Sequence, residues 1–368
     1  DTDPATWRPL AQRVFATTSA GPVHLNLPFR EPLLGVVGDL PDPIGPPLPI
    51  PRGIATGGPA AEYDRQRGVI VAGGRSGVEA DAVTDLAARL GWPILADPCS
   101  GLRDTPYSVT AFEPMLRFAD FADAHAPEVV VRVGRAPASK TLAQWIARSG
   151  APVLQVGGPG VVDPDRNVAA FCSLDDLAPL TGAASTPWLA RWRHADERAE
   201  AVIGAALDGA LNEPAVARAV AEVGRASGAP LVAASSMPIR DVEWYGGRTA
   251  EVHANRGANG IDGVLSTALG LALGGRTVLA LVGDIAFVHD SNALVAIRDR
   301  GVDLRIVVVD NDGGGIFHFL PQESALGDAE FEALLGTPRG VSVAKAADLF
   351  DLPHRRLGPR PPLERRLP

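Results

Sequence analysis

The sequence predicts an α/β protein with two doubly wound parallel-sheet domains and the tail of a third domain at the N-terminus. Short apolar runs alternate with amphipathic helical stretches in two separate blocks. The runs of the second block are apolar on both faces, as expected of strands that helices cover on both sides. The length of 368 residues fits two domains, since a domain typically takes roughly 100–200 residues.

The first block predicts a parallel sheet whose strands are joined by helices. Its strands are predicted at Val69–Ala72, Pro93–Ala96, Val129–Val133 and Pro152–Val156. Its helices are predicted at Val78–Leu90, Lys140–Arg148 and, as a long surface helix leading out of the block, Pro187–Leu211. The turn Gly73–Gly77 after the first strand lacks the G-x-G-x-x-G pattern of dinucleotide-binding sheets. We therefore expect this sheet to hold no cofactor.

The second block begins with a helix that Asn212 is expected to cap, because Glu213 and Pro214 suit the first helical turn. Its strands are predicted at Pro230–Ala234, Ala250–His253, Thr277–Val282 and Leu304–Asp310. Its other helices are predicted at Asp262–Leu273 and Asn292–Arg300. The N-terminal part is mostly loop, with seven prolines between Pro41 and Pro59. The predicted organisation is residues 1–37 as the end of one domain, 38–60 as a linker, 61–200 as a central domain and 201–368 as the last domain.

Composition and charge exclude several classes of protein. The chain carries 43 acidic and 34 basic side chains, and no block of Lys and Arg suggests a nucleic acid partner. No apolar run reaches the ~18 residues that a membrane span needs. The two cysteines, Cys99 and Cys172, predict neither a disulfide framework nor a zinc site, and a reducing cytoplasm fits best.

Two polar motifs follow neighbouring strands of the second block. Gly283-Asp284-Ile285-Ala286 comes after one strand, and Asn311-Asp312-Gly313 comes after the next, with 26 residues between Asp284 and Asn311. That spacing is one strand–helix–strand crossover, so both side chains are expected at the carboxyl ends of parallel strands, where ligands bind. Carboxylate, amide and carbonyl oxygens suit Mg²⁺ and would leave room for a diphosphate. Taken singly, each motif is also an ordinary turn.

The pair of motifs is similar to the thiamine diphosphate signature, and further segments narrow the resemblance. Ser235–Arg240, Asn255–Gly263, Gly314–Pro321 and the N-terminal Gly21–Leu33 resemble the MenD family. Its members are the 2-succinyl-5-enolpyruvyl-6-hydroxy-3-cyclohexene-1-carboxylate synthases of the menaquinone pathway. The resemblance runs from about residue 20 to about residue 340.

The resemblance implies a role for each matching residue. It implies that Asp284, Asn311 and the carbonyl of Gly313 hold Mg²⁺, with Mn²⁺ as an alternative. It places Gly283, Ile285 and Ala286 around the diphosphate of thiamine diphosphate, and Met237 and Ile261 beside the cofactor. It assigns the substrate carboxylates to Ser236, Arg240 and Arg256, and an apolar wall beside the thiazolium to Ile316, Phe317 and Leu320. Without the resemblance, Arg240 and Arg256 would be read as surface ion-pair partners.

The implied reaction is a transferase reaction in which 2-oxoglutarate is decarboxylated and the resulting enamine adds to isochorismate. A homodimer or homotetramer is implied as well, because pyrimidine-binding and diphosphate-binding domains of neighbouring subunits meet in the family. Residues 1–37 would then be the end of the pyrimidine-binding domain, and residues 201–368 a C-terminally truncated domain for diphosphate and Mg²⁺. The glutamate that activates the cofactor lies in the N-terminal domain of the family, so this chain alone is expected to be inactive.

Two other functions stay open at the level of sequence. The chain could be a different thiamine diphosphate carboligase or decarboxylase, similar to acetolactate synthase. It could also be an inactive binding fragment that keeps the sheet and only half of a site.

Overall fold

The computed structural model describes residues 60–158, 163, 165–182 and 186–358, together with residues 7, 10, 11, 14 and 24–26. The expectations for the N-terminal tail and the linker lie almost entirely outside these residues. By its contacts the chain divides into the units Asp1–Ala55 and Thr56–Pro368, and both sheets belong to the second unit. Across the described ranges, no helix combines the length and the apolar character that crossing a membrane requires.

The first sheet has six parallel strands in the order β3-β2-β1-β4-β5-β6. The strands are β1 Gly68–Ala72, β2 Ile94–Ala96, β3 Ser108–Val109, β4 Val129–Val133, β5 Val153–Val156 and β6 Val168–Cys172. The two strands that the sequence does not predict, β3 and β6, are the edges of the sheet. An edge strand needs no long run that is apolar on both faces, because one side of its backbone is unpaired. The central four strands confirm the predicted doubly wound order.

The second sheet has four parallel strands in the order β10-β9-β7-β8. They are β7 Leu231–Ala233, β8 Val252–His253, β9 Val278–Gly283 and β10 Leu304–Val309. In the register of the sheet, Gly283 at the end of β9 pairs with Val309 at the end of β10. The residues that follow these two strands therefore emerge side by side.

Helices cover the two sheets and supply the remaining walls. Those near predicted positions are Ala80–Leu90, Lys140–Ser149, Thr186–Leu207, Glu213–Ser227, Val264–Ala272 and Ala293–Arg300. The short helix Asp284–His289 agrees with the helix start that the sequence indicates near Ile285 and Ala286. Shorter helices that the sequence does not predict are Phe112–Leu116, Ala119–Ala124, Met237–Tyr245, Gln322–Ala325, Asp328–Phe331 and Val343–Leu349. The predicted cap is confirmed, because the Asn212 side chain accepts a hydrogen bond from the Ala215 N–H at 2.9 Å.

The sequence predicts a long surface helix, but the helix Thr186–Leu207 is only partly at the surface. Trp188 and Trp192 lie four residues apart on one helical face, and both are buried in the core of the first sheet. The Trp188 indole N–H donates to the carbonyl of Gly68 in β1 at 2.8 Å. The first turns of this helix therefore belong to the core, and its later turns are largely exposed.

Backbone fills the crevice between β1 and β4, the position where doubly wound sheets bind dinucleotides. The Arg135 N–H donates to the Gly74 carbonyl at 3.0 Å, and the Gly158 N–H donates to the Ser76 carbonyl at 2.8 Å. A Cβ atom on Gly157, whose φ is +60°, would lie 2.2 Å from the Ser76 carbonyl oxygen. The close approach of the loops after β1, β4 and β5 therefore explains why glycine occurs at these turns.

A buried arginine joins the first sheet to the elements of the second. Arg103 is 1% exposed, and its guanidinium donates to the backbone carbonyls of Ala96, Thr110, Glu243 and Gly247 at 3.0–3.3 Å. Two of these carbonyls lie beside the first sheet, and the other two lie in and just after the helix Met237–Tyr245. Because one planar guanidinium reaches both sides, it fixes the elements that border the functional site.

Candidate functional site

A cavity of about 490 Å³ opens at the carboxyl ends of β7, β9 and β10. Every site residue that the sequence predicts lines it except Leu320: Ser236, Met237, Arg240, Arg256, Ile261, Gly283, Asp284, Ile285, Ala286, Asn311, Gly313, Ile316 and Phe317. Leu320 follows the 3-10 turn Gly315–Phe319 in an extended conformation, is 41% exposed and lies outside this lining. The predicted apolar wall of three side chains is therefore a wall of two, Ile316 and Phe317.

Three oxygen atoms converge at the ends of β9 and β10. The carboxamide oxygen of Asn311 lies 3.2 Å from Asp284 Oδ1 and 3.0 Å from the Gly313 carbonyl oxygen. Mg²⁺ binds oxygens octahedrally at about 2.1 Å, which sets neighbouring ligand oxygens about 3.0 Å apart. The Asn311 oxygen has this spacing from each of the other two oxygens, so the donor set fits the ion that the sequence predicts.

The orientation of the Asn311 amide supports the same interpretation. Its nitrogen donates to Glu213 Oε1 at 3.4 Å. Reversing the amide would let that nitrogen donate to Asp284 and Gly313, but it would turn the amide oxygen toward the Glu213 carboxylate. A cation between the three oxygens satisfies them without this repulsion. Within the described ranges, no three His, Cys, Asp or Glu side chains form a metal-binding group, so the cluster relies on one carboxylate with an amide and a carbonyl.

The surroundings of Asp284 also favour a cation. This carboxylate is 6% exposed, and burial raises its pKa, as do the carboxylates of Asp310 and Asp312. Asp312 itself is held in place because its side chain accepts hydrogen bonds from the N–H groups of Arg339 and Gly340, at 3.0 and 2.7 Å. A bound divalent ion would offset the cost of keeping Asp284 charged in this position.

The glycine run after β10 is packed against the segment around Gly336. A Cβ atom on Gly313, whose φ is +150°, would lie 2.3 Å from the Gly336 carbonyl oxygen. The Gly314 N–H donates to that same carbonyl at 2.7 Å. Glycine is therefore required at position 313, and its carbonyl is directed to the oxygen cluster by backbone packing.

The loop after β7 brings Ser236 to the cavity in a strained conformation. Ser236 has φ 80° and ψ −138°, values that an L-residue rarely adopts. Its carbonyl accepts a 2.6 Å hydrogen bond from the Arg240 guanidinium, which links the strained residue to the first turn of Met237–Tyr245. Backbone strain of this kind is concentrated at functional sites, where surrounding contacts maintain it.

A second cavity, of about 210 Å³, adjoins the first and shares Arg240 and Arg256 with it. Burial and the neighbouring Arg256 lower the pKa of Arg240. The other walls include charged residues from both sheets, namely Asp97, Glu113, Arg117, Lys140 and Glu243. None of these five is predicted as a site residue. They are scattered along the sequence, and only the fold brings residues such as Lys140 next to the predicted Arg256.

The main cavity also contains residues that the sequence analysis missed. Glu213 and Asp241 contribute two further carboxyl groups to its lining, and Asn259 and Thr337 line it at positive φ. Asp241 could have been noticed as the neighbour of Arg240. The position of Glu213 carries no local signal beyond its place in a first helical turn.

Comparisons with known proteins identify the family of the chain. Residues 56–229 match the family described as the middle domain of thiamine pyrophosphate enzymes, and residues 245–357 match the C-terminal TPP-binding domain of these enzymes. A 2-succinyl-5-enolpyruvyl-6-hydroxy-3-cyclohexene-1-carboxylate synthase of Rubrobacter xylanophilus is 40% identical, over 98% of this chain and 68% of the relative. The synthases of the same name from Myxococcus xanthus and Chloroflexus aurantiacus are each 38% identical, over 89% and 90% of this chain.

The chain spans 62% of the length of the Myxococcus and Chloroflexus proteins. The similarity covers both sheets and the whole oxygen cluster between Asp284 and Gly313. The chain therefore belongs to the 2-succinyl-5-enolpyruvyl-6-hydroxy-3-cyclohexene-1-carboxylate synthase family, the MenD family of thiamine diphosphate enzymes.

Proposed function

We propose that the chain carries the diphosphate-binding and metal-binding part of a thiamine diphosphate-dependent synthase. The synthase would decarboxylate 2-oxoglutarate and add the product to isochorismate, giving the compound in the name of its relatives. The observation that carries the proposal is the convergence of the Asp284, Asn311 and Gly313 oxygens at 3.0–3.2 Å beside the main cavity. With the amide oxygen of Asn311 in this position, the cluster offers three hard oxygen ligands that suit a cation able to clamp a diphosphate.

The proposed cofactors are thiamine diphosphate and Mg²⁺, with Mn²⁺ as an alternative. Asp284, Asn311 and the Gly313 carbonyl would hold the metal, and Gly283, Ile285 and Ala286 would surround the diphosphate. When bound, thiamine diphosphate supplies the electron sink that decarboxylation of a 2-oxo acid requires. Met237 and Ile261 line the same cavity and would pack against the cofactor.

The side chains of this chain would bind the substrates and exclude water. Arg240 and Arg256 each offer a planar fork that can bind a carboxylate through two parallel hydrogen bonds. Because they border both cavities, they are placed to bind carboxylates on either side of the reacting atoms. Ile316 and Phe317 would shield the reacting carbon from solvent, and Ser236 would orient a substrate carboxylate.

The second cavity is the proposed position of the acceptor substrate. Arg117 and Lys140 add two positive charges to those of Arg240 and Arg256, which suits a small dicarboxylate such as isochorismate. We further propose, from the family resemblance, a cytoplasmic homodimer or homotetramer.

Calorimetric titration tests the cofactor assignment. The chain should bind thiamine diphosphate saturably in the presence of Mg²⁺ and much more weakly with EDTA. Asp284→Asn should weaken Mg²⁺-dependent binding at least about tenfold, because it removes the charged metal ligand. Asp299→Asn is the matched control, since Asp299 is exposed on the helix Ala293–Arg300. An unchanged affinity in Asp284→Asn would refute the metal assignment, and no saturable binding by the chain would favour the inactive fragment.

Product analysis separates the synthase from other carboligases. Protein that includes the remaining length of its relatives should consume 2-oxoglutarate and isochorismate together. Formation of acetolactate from pyruvate, with no reaction of isochorismate, would favour the acetolactate synthase alternative.

A further inference from the structure

Glu243 is a buried acid in the second cavity that the proposed function leaves without a role. It lies in the helix Met237–Tyr245 and is 6% exposed. Its Oε1 atom is buried and has no hydrogen-bond partner among the described residues. A buried and unpaired carboxyl oxygen is costly, so its presence in a cavity wall calls for a ligand.

The other glutamate of the same cavity differs in this respect. Glu113 accepts hydrogen bonds from the hydroxyl groups of Ser139 and Thr141 and from the Arg117 guanidinium, the last two at 2.8 and 3.2 Å. Both oxygens of the Glu113 carboxylate therefore accept hydrogen bonds from the protein. Asp97, the third acid of the cavity, accepts a hydrogen bond from the Cys99 N–H at 2.8 Å. Of the three acids, Glu243 is the one with a buried oxygen that no described residue binds.

Two of the arginines near Glu243 are engaged elsewhere. Arg103 donates to four backbone carbonyls, one of which is the carbonyl of Glu243 itself. Arg117 binds Glu113 and lies over the Trp244 ring at 4.7 Å. Neither is therefore aimed at the Glu243 carboxyl group.

Burial and the neighbouring carboxylates favour the neutral form of the Glu243 carboxyl group. Burial first, and then the carboxylates of Asp97 and Glu113, raise the pKa of Glu243 to about 8, while Arg103 and Arg256 oppose the rise. The remaining charged groups of the cavity are Arg117, Lys140 and Arg240. A neutral carboxyl group offers one O–H donor together with acceptor capacity. It can therefore bind a hydroxyl group without repelling a neighbouring carboxylate.

We propose that Glu243 is a specificity-determining residue that hydrogen-bonds a hydroxyl group adjacent to a carboxylate in the acceptor substrate. The inference rests on the proposed function, which places the acceptor in the second cavity. The product named for the relatives carries its 6-hydroxyl and 1-carboxylate groups on neighbouring ring carbons. The cavity has the matching pair, a neutral carboxyl group on Glu243 and the cationic side chains around it.

The test compares two probes that differ by this hydroxyl group. The affinities of the chain for trans-2-hydroxycyclohexane-1-carboxylate and cyclohexane-1-carboxylate are measured by calorimetry at pH 6.5. The hydroxylated probe should bind about tenfold more tightly, because the probe without the hydroxyl leaves Glu243 unpaired. Glu243→Leu should abolish this preference, and Glu243→Gln should retain most of it. Glu323→Leu, an exposed position outside the cavity, is the control.

A pH series separates recognition from a structural role. Above pH 8 both probes should bind several-fold more weakly to the unaltered chain, because the ionised Glu243 repels their carboxylate. Glu243→Gln should remove that weakening. Equal affinity for the two probes, no binding of either, or a preference that persists in Glu243→Leu would overturn the inference.

The outcomes are distinguishable from a failure of the proposed function. Thiamine diphosphate binding with no preference between the probes would refute the role of Glu243 alone. A clear preference that depends on Glu243, without thiamine diphosphate binding, would refute the proposed cofactor and leave the role of Glu243 supported.

Discussion

Substituting Glu243 by glutamine should change how the stability of the chain depends on pH. Burial raises the pKa of Glu243 from 4.5 to about 8 in the folded chain, whereas an unfolded chain has the ordinary value. Between these two pH values the folded state keeps a proton that the unfolded state releases. The free energy of unfolding therefore falls as pH rises through this interval, and it levels off above pH 8.

The size of the effect follows from the width of that interval. Each pH unit within it corresponds to about 1.4 kcal/mol, so the loss between pH 5 and pH 8 is on the order of 4 kcal/mol. Glu243→Gln has nearly the same volume and does not ionise, so it lacks this contribution. Relative to the unaltered chain, the variant should become more stable by that amount as pH rises from 5 to 8.

Urea denaturation at pH 5, 6, 7 and 8 measures this difference. Glu323→Gln provides the matched control, because Glu323 is exposed on the short helix Gln322–Ala325. The stability difference between the control and the unaltered chain should be the same at all four pH values. A difference for Glu243→Gln that changes by less than about 1 kcal/mol over this range would refute a neutral Glu243.

Three further predictions, on five substitutions, test the packing of the fold by urea denaturation. Arg103→Met should cost at least about 3 kcal/mol, because it leaves buried carbonyls unpaired; a loss below about 1 kcal/mol would contradict the proposed junction. Gly157→Ala should cost about 3 kcal/mol, and Gly228→Ala about 1 kcal/mol. Both glycines have a positive φ, but only a Cβ atom at position 157 would clash with a described atom. Equal losses of stability in the two variants would exclude the clash. Trp192→Ala should cost about 4 kcal/mol, because it empties a buried site. Trp192→Phe should cost less than about 2 kcal/mol, because the indole N–H that it removes is buried without a partner in the described ranges. Similar losses of stability in the two variants would contradict this interpretation of Trp192.

The strands and the oxygen cluster were predictable because their signals are local. A central parallel strand must be apolar on both faces, so runs such as Val129–Val133 stand out in any sequence. The spacing of Asp284 and Asn311 corresponds to one crossover between adjacent strands, and the register of β9 with β10 places the two side by side. Sequence spacing and sheet geometry carry the same information in this case.

The second cavity could not be predicted for the opposite reason. Lys140 begins a helix of the first sheet and Arg256 lies in a loop after β8, and only the packing of the two sheets joins them. The helix Met237–Tyr245 was missed as well, because it starts directly after a residue at positive φ and is only nine residues long. Leu320 lies outside the lining of the main cavity, because the 3-10 turn ends at Phe319 and the chain continues from there in an extended conformation.

The helix Met237–Tyr245 carries the groups that connect the two cavities and the junction between the sheets. Arg240 borders both cavities. Of the two acids that follow it in sequence, Asp241 lines the main cavity and Glu243 lines the second cavity. Asp241 resembles Glu243, since its Oδ1 is buried without a partner in the part of the chain that the structure describes, and burial and Glu213 raise its pKa to about 7.

Two unpaired buried acids on one short helix reduce the stability of the fold, and so does the strained residue that precedes them. Apolar residues at both positions would pack at lower cost, because an unsatisfied buried carboxyl group has no compensating interaction. These costs fall on the helix that borders both cavities, next to the arginines proposed to bind carboxylates. Departures from local stability of this kind are expected where a fold carries a binding site, and they favour the proposal that this helix discriminates between substrates.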